Sequence, residues 1–352
     1  QLDLVADTEI QIAATTVDIN GNVDVSGTLT VAGALNFGDA NITGAAGLTV
    51  SLTSNLGANV TTSGNQTYTG RATLSSDVTL TGLNVNFGNQ IIGGDNALTV
   101  TGNFDLDGAA SGISSLSVSG SSDLGANVTT SGTQTYSGAT TLSAATTLAG
   151  SSINLNAVTG GSNALTITGD LDLDGDIAGV TSLSVSGATN IGGDVATINN
   201  QTYTGLTTVS ASKTLSGAAI TASVVNLGSN DLGISNTAAS SITGIISGTN
   251  GSLTKLGSGT LTLSNVNTYT GDTTIDAGTL KVTGTLSDST DVIVASGANY
   301  NVDENDTVKS VTGLGSAIVA TSKTLILSNS DNGSTSTVFS GSGNLTKSGT
   351  GT

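Results

Sequence analysis

The side chains best suited to chemistry in this sequence are aspartates at alternating positions. Five of them occur in two related segments, GNFDLDG and GDLDLDGD, at Asp105, Asp107, Asp170, Asp172 and Asp174. Carboxylates at alternate positions followed by a glycine are spaced like the start of a Ca²⁺-binding loop, where each carboxylate supplies an oxygen ligand. The bidentate acid that closes such a loop would fall on Thr181, so the loop is incomplete.

A second interpretation of these aspartates is structural. Leu171 and Leu173 alternate with the acids, which is typical of a β-strand with one face in solvent. The glycine-rich nonapeptide of calcium-binding β-rolls is absent from the sequence. We therefore favour a solvated strand that requires no cofactor, and we keep Ca²⁺ held between stacked aspartates as the alternative.

The composition argues against catalysis. The chain has no His and no Cys, which removes the commonest transition-metal ligands and the usual nucleophile–base pairs. Paired carboxylates can cleave polysaccharides, but such sites usually also carry basic and aromatic side chains, and this chain has one Arg and no Trp. The acids also recur with the sequence repeat, whereas an active site is a single departure from it. We predict that the protein is not an enzyme.

Four tyrosines mark a long sequence repeat. Tyr68, Tyr136, Tyr203 and Tyr269 each lie in a T-Y-T/S-G segment, and this segment recurs about every 67 residues. An exposed row of tyrosines could stack against sugar rings along one face. We favour the alternative in which each tyrosine packs at a corner and fixes the register of its unit.

The remaining sequence indicates which elements position these side chains. Residues 17–39 follow a six-residue pattern, VDINGN, VDVSGT, LTVAGA and LNFGDA, with apolar residues at the first and third positions and a glycine after them. From Ala97, the segment ALTVTG alternates apolar and hydroxyl residues. No stretch shows the 3.6-residue apolar period of a helix. The pattern predicts an all-β fold, a parallel β-solenoid of stacked Gly/Thr/Ser-rich coils with almost no helix.

The long repeat predicts the division of the chain. LGANVTTSGNQTYTG begins at Leu56, LGANVTTSGTQTYSG at Leu124 and IGGDVATINNQTYTG at Ile191. If each unit holds three coils, one coil is about 22 residues long. Six of the seven basic residues lie at or beyond Lys213, which indicates a change of module between residues 205 and 250. We predict five segments: a hexad-like segment 1–55, repeats at 56–123 and 124–190, a diverged repeat at 191–250, and an open-ended repeat region at 251–352.

The net charge of −18 limits the partners. Such a surface repels nucleic-acid phosphates and anionic lipids. No segment approaches 18 consecutive apolar residues, so we predict no membrane insertion. The chain begins at Gln1 without Met, and we interpret it as a processed piece of a longer precursor.

Residues 253–282 carry a family resemblance. They read LTKLGSGTLTLSNVNTYTGDTTIDAGTLKV, and the opening recurs as LTKSGTGT at 345–352. This segment resembles the autotransporter-associated β-strand repeat of bacterial passenger domains. The resemblance implies a right-handed parallel β-helix that is secreted or displayed on the cell surface, with a role in adhesion or in passenger export.

A second resemblance concerns residues 15–44, which are similar to shaft segments of phage tail fibres. That similarity implies an intertwined trimer rather than a single-chain solenoid.

Taken together, these patterns predict an extracellular structural or adhesive solenoid, such as a surface fibre or sheath. Because the last repeat begins again at Leu345, we predict that copies of the protein assemble head to tail. The alternatives are a passenger adhesin fragment, with a host or cell-surface glycan as partner, and a phage tail fibre.

Overall fold

The computed structural model describes residues 2–4, 9–38, 41–329 and 335–350. Gln1 and the last two residues of the 345–352 segment lie outside the described residues. Throughout the described part the regular structure is β-strand, with no helix, and therefore no helix long and apolar enough to cross a membrane. The chain forms two compact units, Gln1–Gly175 and Asp176–Thr352, each a stack of parallel strands. The predicted β-solenoid is confirmed, and the division into five sequence segments stays a prediction.

The strands of the first unit follow one another at short intervals. They are β1 (Leu2–Leu4), β2 (Glu9–Ile12), β3 (Thr16–Ile19), β4 (Val23–Val25), β5 (Thr28–Val31), β6 (Ala34–Phe37), β7 (Ile42–Ala45), β8 (Gly47–Val50), β9 (Ser54–Leu56), β10 (Val60–Thr62), β11 (Gln66–Tyr68), β12 (Ala72–Leu74), β13 (Val78–Phe87), β14 (Ile91–Leu106), β15 (Ala110–Val118), β16 (Ser122–Leu124), β17 (Val128–Thr130), β18 (Gln134–Tyr136), β19 (Thr140–Leu142), β20 (Thr146–Leu155), β21 (Val158–Thr159) and β22 (Leu165–Leu173).

The second unit has the same construction. Its strands are β23 (Ile177–Val180), β24 (Leu183–Val185), β25 (Thr189–Ile191), β26 (Val195–Thr197), β27 (Gln201–Tyr203), β28 (Thr207–Val209), β29 (Lys213–Gly217), β30 (Ile220–Ala222), β31 (Val225–Asn226), β32 (Asp231–Asn236), β33 (Ser240–Ile242), β34 (Ile246–Ser247), β35 (Ser252–Lys255), β36 (Thr260–Leu263), β37 (Thr273–Ile275), β38 (Thr279–Val282), β39 (Asp291–Val294), β40 (Asn299–Val302), β41 (Asp306–Val308), β42 (Ser310–Gly313), β43 (Ser316–Val319), β44 (Thr324–Leu327), β45 (Val338–Gly341) and β46 (Asn344–Lys347).

Each coil contributes strand segments to three faces. In the first unit, β1, β4, β7 and β10 stack on one face, β2, β5, β8 and β11 on the next, and β3, β6, β9 and β12 on the third. All these pairings are parallel. The longer strands β13, β14, β15, β20 and β22 run through a corner and so contribute to more than one face.

The alternation in the sequence places the core. In β14, Leu98 and Val100 are fully buried, whereas Thr99 between them is partly exposed. Successive side chains of a strand point to opposite sides, so each apolar–hydroxyl pair sends its apolar member into the solenoid. The core is therefore a narrow column of Val, Leu and Ile that is renewed in every coil.

Most coils contain fewer residues than the length of about 22 that we inferred from the long sequence repeat. Register partners in adjacent coils can be as close along the chain as Ile42 and Val60, and they are seldom farther apart than Ser316 and Val338. Each coil is made of three short strand segments and three tight corners, so few residues are needed for one revolution. The prediction of three coils per long repeat was consequently wrong.

Asparagine and aspartate side chains complete the hydrogen-bond ladder between adjacent coils at exposed corners. The Asn59 Oδ1 accepts a hydrogen bond from the Thr79 N–H at 2.7 Å, and the Asp77 Oδ1 accepts one from the Ala97 N–H at 2.8 Å. A short polar side chain thus provides the acceptor that the turning backbone cannot supply. This explains why many strands of the chain are preceded by Asn or Asp.

Candidate functional site

The candidate calcium ligands lie on the outer surface of the first unit. Asp105 pairs in register with Asp123 of the next coil, and Asp107 follows β14 in solvent. Burial, together with the charges of Asp107 and Asp123, raises the pKa of Asp105. This row is the densest acidic feature among the candidates.

The other three candidates do not join that row. Asp170 and Asp172 pair in register with Ser152 and Asn154, and Asp174 lies in the exposed turn after β22. Among the residues that the structure describes, no three acidic side chains converge in a group that could hold a metal ion. The solvated strand stays the prediction for these positions, and Ca²⁺ binding stays its untested alternative.

The four repeat tyrosines lie inside the solenoid. Tyr68, Tyr136, Tyr203 and Tyr269 are each exposed by 1% or less, and burial raises their pKa far above the ordinary value. In this position the rings cannot stack against a sugar. Tyr68 instead stacks on Phe87 of the next coil, with ring centroids 4.9 Å apart.

A glutamine accompanies each of the first three tyrosines. The Tyr136 hydroxyl donates to the Gln134 Oε1 at 3.0 Å, while the Gln134 Nε2 donates to the carbonyls of Val128 at 3.2 Å and Ala149 at 2.8 Å. The same bonds recur around Gln66 and Gln201, and all three glutamines are fully buried. The pair therefore satisfies carbonyls at a corner where the backbone ladder is broken.

Successive copies of this motif occupy different faces. Tyr68 lies in the stack that contains Val50 and Phe87, whereas Tyr136 lies in the stack that contains Val118 and Leu155. From Tyr68 the register pairings lead through Phe87 and Leu106 to Leu124, which lies three coils later on the same face. The chain then passes along two further faces before it reaches Tyr136. The sequence period is therefore not a whole number of coils.

Residues 253–282 form part of the second unit, at a place where one face loses its regular strands. The face formed by β25, β28, β31 and β34 has no named strand in the next two coils and resumes at β41. We call it the interrupted face. Between β34 and β41 it retains an isolated bridge, Val266 with Thr285.

Two buried polar side chains replace the missing backbone partners on the interrupted face. The Asn267 Oδ1 accepts the Ile246 N–H at 3.0 Å, and its Nδ2 donates to the Thr285 carbonyl at 2.9 Å. Farther along the face, the Asp306 Oδ1 accepts the Leu286 N–H at 3.1 Å. Asn267 and Asp306 thus carry the ladder across the gap.

A lysine is buried in the same region. Lys255 is fully buried between Ile234 and Ile275, and its Nζ donates to the carbonyls of Gly257 and Ala277, the latter at 3.2 Å. Burial lowers the pKa of Lys255 to about 8. The lysine of the second Leu-Thr-Lys opening shares one of these bonds, because Lys347 also donates to the carbonyl two positions on, that of Gly349. Its other acceptor, the Asn329 carbonyl, lies in the preceding coil rather than in the next one.

The glycines around Lys255 are fixed by close backbone packing. A Cβ at Gly257 would overlap the Asn236 carbonyl oxygen. Gly278 has φ +68°, and a Cβ there would overlap the Gly259 oxygen and lie 2.6 Å from the Gly257 oxygen. The backbones of these corners stack so closely that no side chain larger than the hydrogen of glycine fits at either position.

Asp306 is a buried carboxyl group with few charged neighbours. It is 3% exposed, and the Tyr300 hydroxyl donates to its Oδ2 at 2.9 Å. Burial raises the pKa of Asp306 to about 6, although the hydrogen bonds from Tyr300, Leu286 and Thr307 oppose this shift. The charge of Asp288 adds to the rise.

This raised pKa predicts a pH-dependent stability of the second unit. The folded protein binds the Asp306 proton more tightly than the unfolded chain does, so the contribution of Asp306 to stability should increase on acidification from pH 7 to pH 4. The gain is about 3 kcal/mol at most and falls away as the pH rises from about 4 through about 6. Unfolding midpoints of the native protein and D306N across this range would measure it, because other carboxyls cancel in the difference. A difference that does not vary with pH would contradict the assignment.

The buried polar residues of these networks were not identified from the sequence. Gln66, Gln134 and Gln201 each lie two positions before a repeat tyrosine, and that spacing places both side chains on the same side of a strand. The signal was therefore present in the QTY motif. Asn267 lies two positions before Tyr269 and so carries the same signal, with Asn in place of Gln. Lys255 has no such tyrosine partner, and lysine is mostly exposed.

The recurring positions of the repeats, namely the tyrosines, glutamines, Lys255 and Asn267, have buried side chains with structural contacts. The protein is therefore a β-solenoid whose corners are stabilised by buried polar side chains. Within it, residues 253–282 match the family of the passenger-associated-transport-repeat. The match confirms the resemblance found in the sequence for this segment. No curated protein and no solved structure matched the chain.

Proposed function

We propose that the protein is an extracellular structural or adhesive solenoid of the autotransporter-passenger kind. The observation that carries this proposal is that the passenger-associated-transport-repeat is an integral part of the second unit. Its lysine, asparagine and glycines supply the hydrogen bonds and close contacts of consecutive coils. The matched family implies a secreted or cell-surface protein, and the buried side chains of the repeat support a mechanical role.

Surface display can be tested directly. Antibodies against the purified 352-residue protein should label intact cells that express it, and external protease should remove the label. A cytoplasmic marker protein provides the control for cell integrity. Labelling that appears only after lysis would contradict the proposal.

We further propose that copies of the protein assemble head to tail. Leu345 of β46 pairs in register with the fully buried Leu325 of β44, yet Leu345 itself is 46% exposed. Leu325 shows how such a leucine is covered when a further coil pairs with its own coil. A coil from another copy of the protein could add by the same parallel pairing.

Electron microscopy of the purified protein tests this assembly. Filaments that lengthen with protein concentration are expected, and L345K should shorten them because a charge would be buried at each junction. T346K, which changes the neighbouring outward position, is the control. Monomers at every concentration would contradict head-to-tail assembly.

The strands of the hexad segment can pair within a single chain, as a solenoid requires. β3 pairs with β6 and β2 pairs with β5, all within one chain. A phage-type trimer would instead bring strands from three chains together. A trimeric mass at high dilution would favour that alternative.

A further inference from the structure

Four large apolar side chains of the second unit lie in solvent at the same corner of successive coils. Leu206, Val224, Ile245 and Val266 are 46%, 39%, 40% and 56% exposed. The first three immediately precede β28, β31 and β34, and Val266 immediately precedes Asn267. All four therefore occupy the same position, at the corner that leads into the interrupted face. We call these four residues the apolar corner.

Backbone hydrogen bonds keep the members of the apolar corner in line. The Thr207 N–H donates to the Val224 carbonyl at 2.9 Å, and the Val225 N–H donates to the Ile245 carbonyl at 3.0 Å. With one strand spacing of about 4.8 Å between coils, the row extends over about 15 Å. The corner is a continuous ridge rather than scattered exposed residues.

No packing within the described part of the chain accounts for this ridge. Val224 leans over Gly244, where an added Cβ would lie 2.8 Å from the Val224 Cγ2, but the valine still keeps 39% of its surface in solvent. Outward positions elsewhere in the unit are mainly Thr, Ser and Asn. A contiguous apolar feature that is exposed on a protein surface marks a candidate interaction surface.

The charge pattern indicates which partner fits. The chain carries a net charge of −18, yet no charged residue lies within three sequence positions of any member of the apolar corner. Another copy of the protein would be repelled over much of its surface. The turns that form this corner contribute no charge to that repulsion.

We propose that the apolar corner is a lateral self-association surface, occupied by the same corner of a second copy. A row of similar side chains at one spacing is complementary to itself, as a two-fold symmetric contact requires. Its area is on the order of a few hundred Å² per copy, below the roughly 800 Å² per partner of a stable complex. The association is therefore weak in dilute solution and becomes effective where many copies are held close together.

This surface is independent of head-to-tail assembly and of the site of display. The first test is sedimentation of the 352-residue protein over a range of concentrations up to the order of 100 μM, where contacts of this size become populated. The protein carries L345K throughout, so that head-to-tail filaments do not mask the lateral contact. Lateral pairs are expected, and they should disappear when L206T/V224T/I245T/V266T is added. Threonine is β-branched and favoured in strands, so the variant should fold, as circular dichroism can verify.

The matched control is I293T/L314T, which changes two exposed apolar residues away from the corner. It should associate like the native protein. A second test uses the absence of Cys from the chain: I245C should form an intermolecular disulfide several-fold faster than I293C under mild oxidation. Equal rates, or undiminished pairing in the four-threonine variant, would overturn the proposal and assign the corner to another occupant.

Discussion

Replacing Gln134 with leucine should destabilise the first unit by about 3 kcal/mol or more. Leucine fits the volume of the buried site but leaves the Val128 and Ala149 carbonyls and the Tyr136 hydroxyl without their partner. Each unsatisfied buried polar group costs about 1 to 3 kcal/mol. Because coils stabilise their neighbours, the loss should be concentrated in β17, β18 and β20.

Urea unfolding measures the overall effect, and hydrogen exchange locates it. In the double variant Q134L/Y136F the tyrosine hydroxyl is also absent, so about 1 kcal/mol should be recovered relative to Q134L. T135V, which changes the outward residue between the two, is the control and should have little effect. If Q134L unfolds with the native midpoint, the glutamine is not needed to satisfy the corner.

Replacing Gly278 with alanine should have a comparable or larger effect on the second unit. The residue has φ +68°, which costs alanine roughly 1 kcal/mol, and its Cβ would also strike the oxygens of Gly259 and Gly257. The collision forces the stacked corners apart, so we expect a total loss of more than about 3 kcal/mol. Thermal unfolding and limited proteolysis within residues 253–300 would detect it.

Gly297 provides the matched control for this prediction. Its φ is +82°, but an added Cβ would meet no atom within 4 Å. G297A therefore measures the backbone strain alone, and the difference between the two variants measures the collision. Equal effects would show that corner stacking does not restrict residue 278.

The sequence was sufficient to predict the architecture because solenoid formation depends on a local pattern. Alternation such as Leu98-Thr99-Val100 decides which side chains enter the core, and the same pattern recurs in each coil. The spacing of the tyrosines also showed that long units repeat. The number of residues in a coil was not predictable. Three short segments and their corners complete one revolution between Ile42 and Val60, and they do so equally over the longer interval between Ser316 and Val338.

The buried polar networks were less predictable for a different reason. Lys255 is fully buried, although lysine is among the residue types least often buried. Its burial depends on carbonyls that come from its own corner and from the next coil, at Gly257 and Ala277. Residues separated by a complete coil meet only after folding, so their pairing leaves no short-range sequence signal.

The mismatch between the long repeat and the coil has a consequence for how such a chain can change in length. The segment from Tyr68 to Tyr136 advances by a non-integral number of revolutions, ending on a different face. Inserting or deleting one such segment would preserve the pairing of neighbouring strands but turn the coils that follow by a third of a revolution. Three insertions restore the original orientation. Gene duplication can thus change the direction that a surface on those coils faces without altering the surface itself.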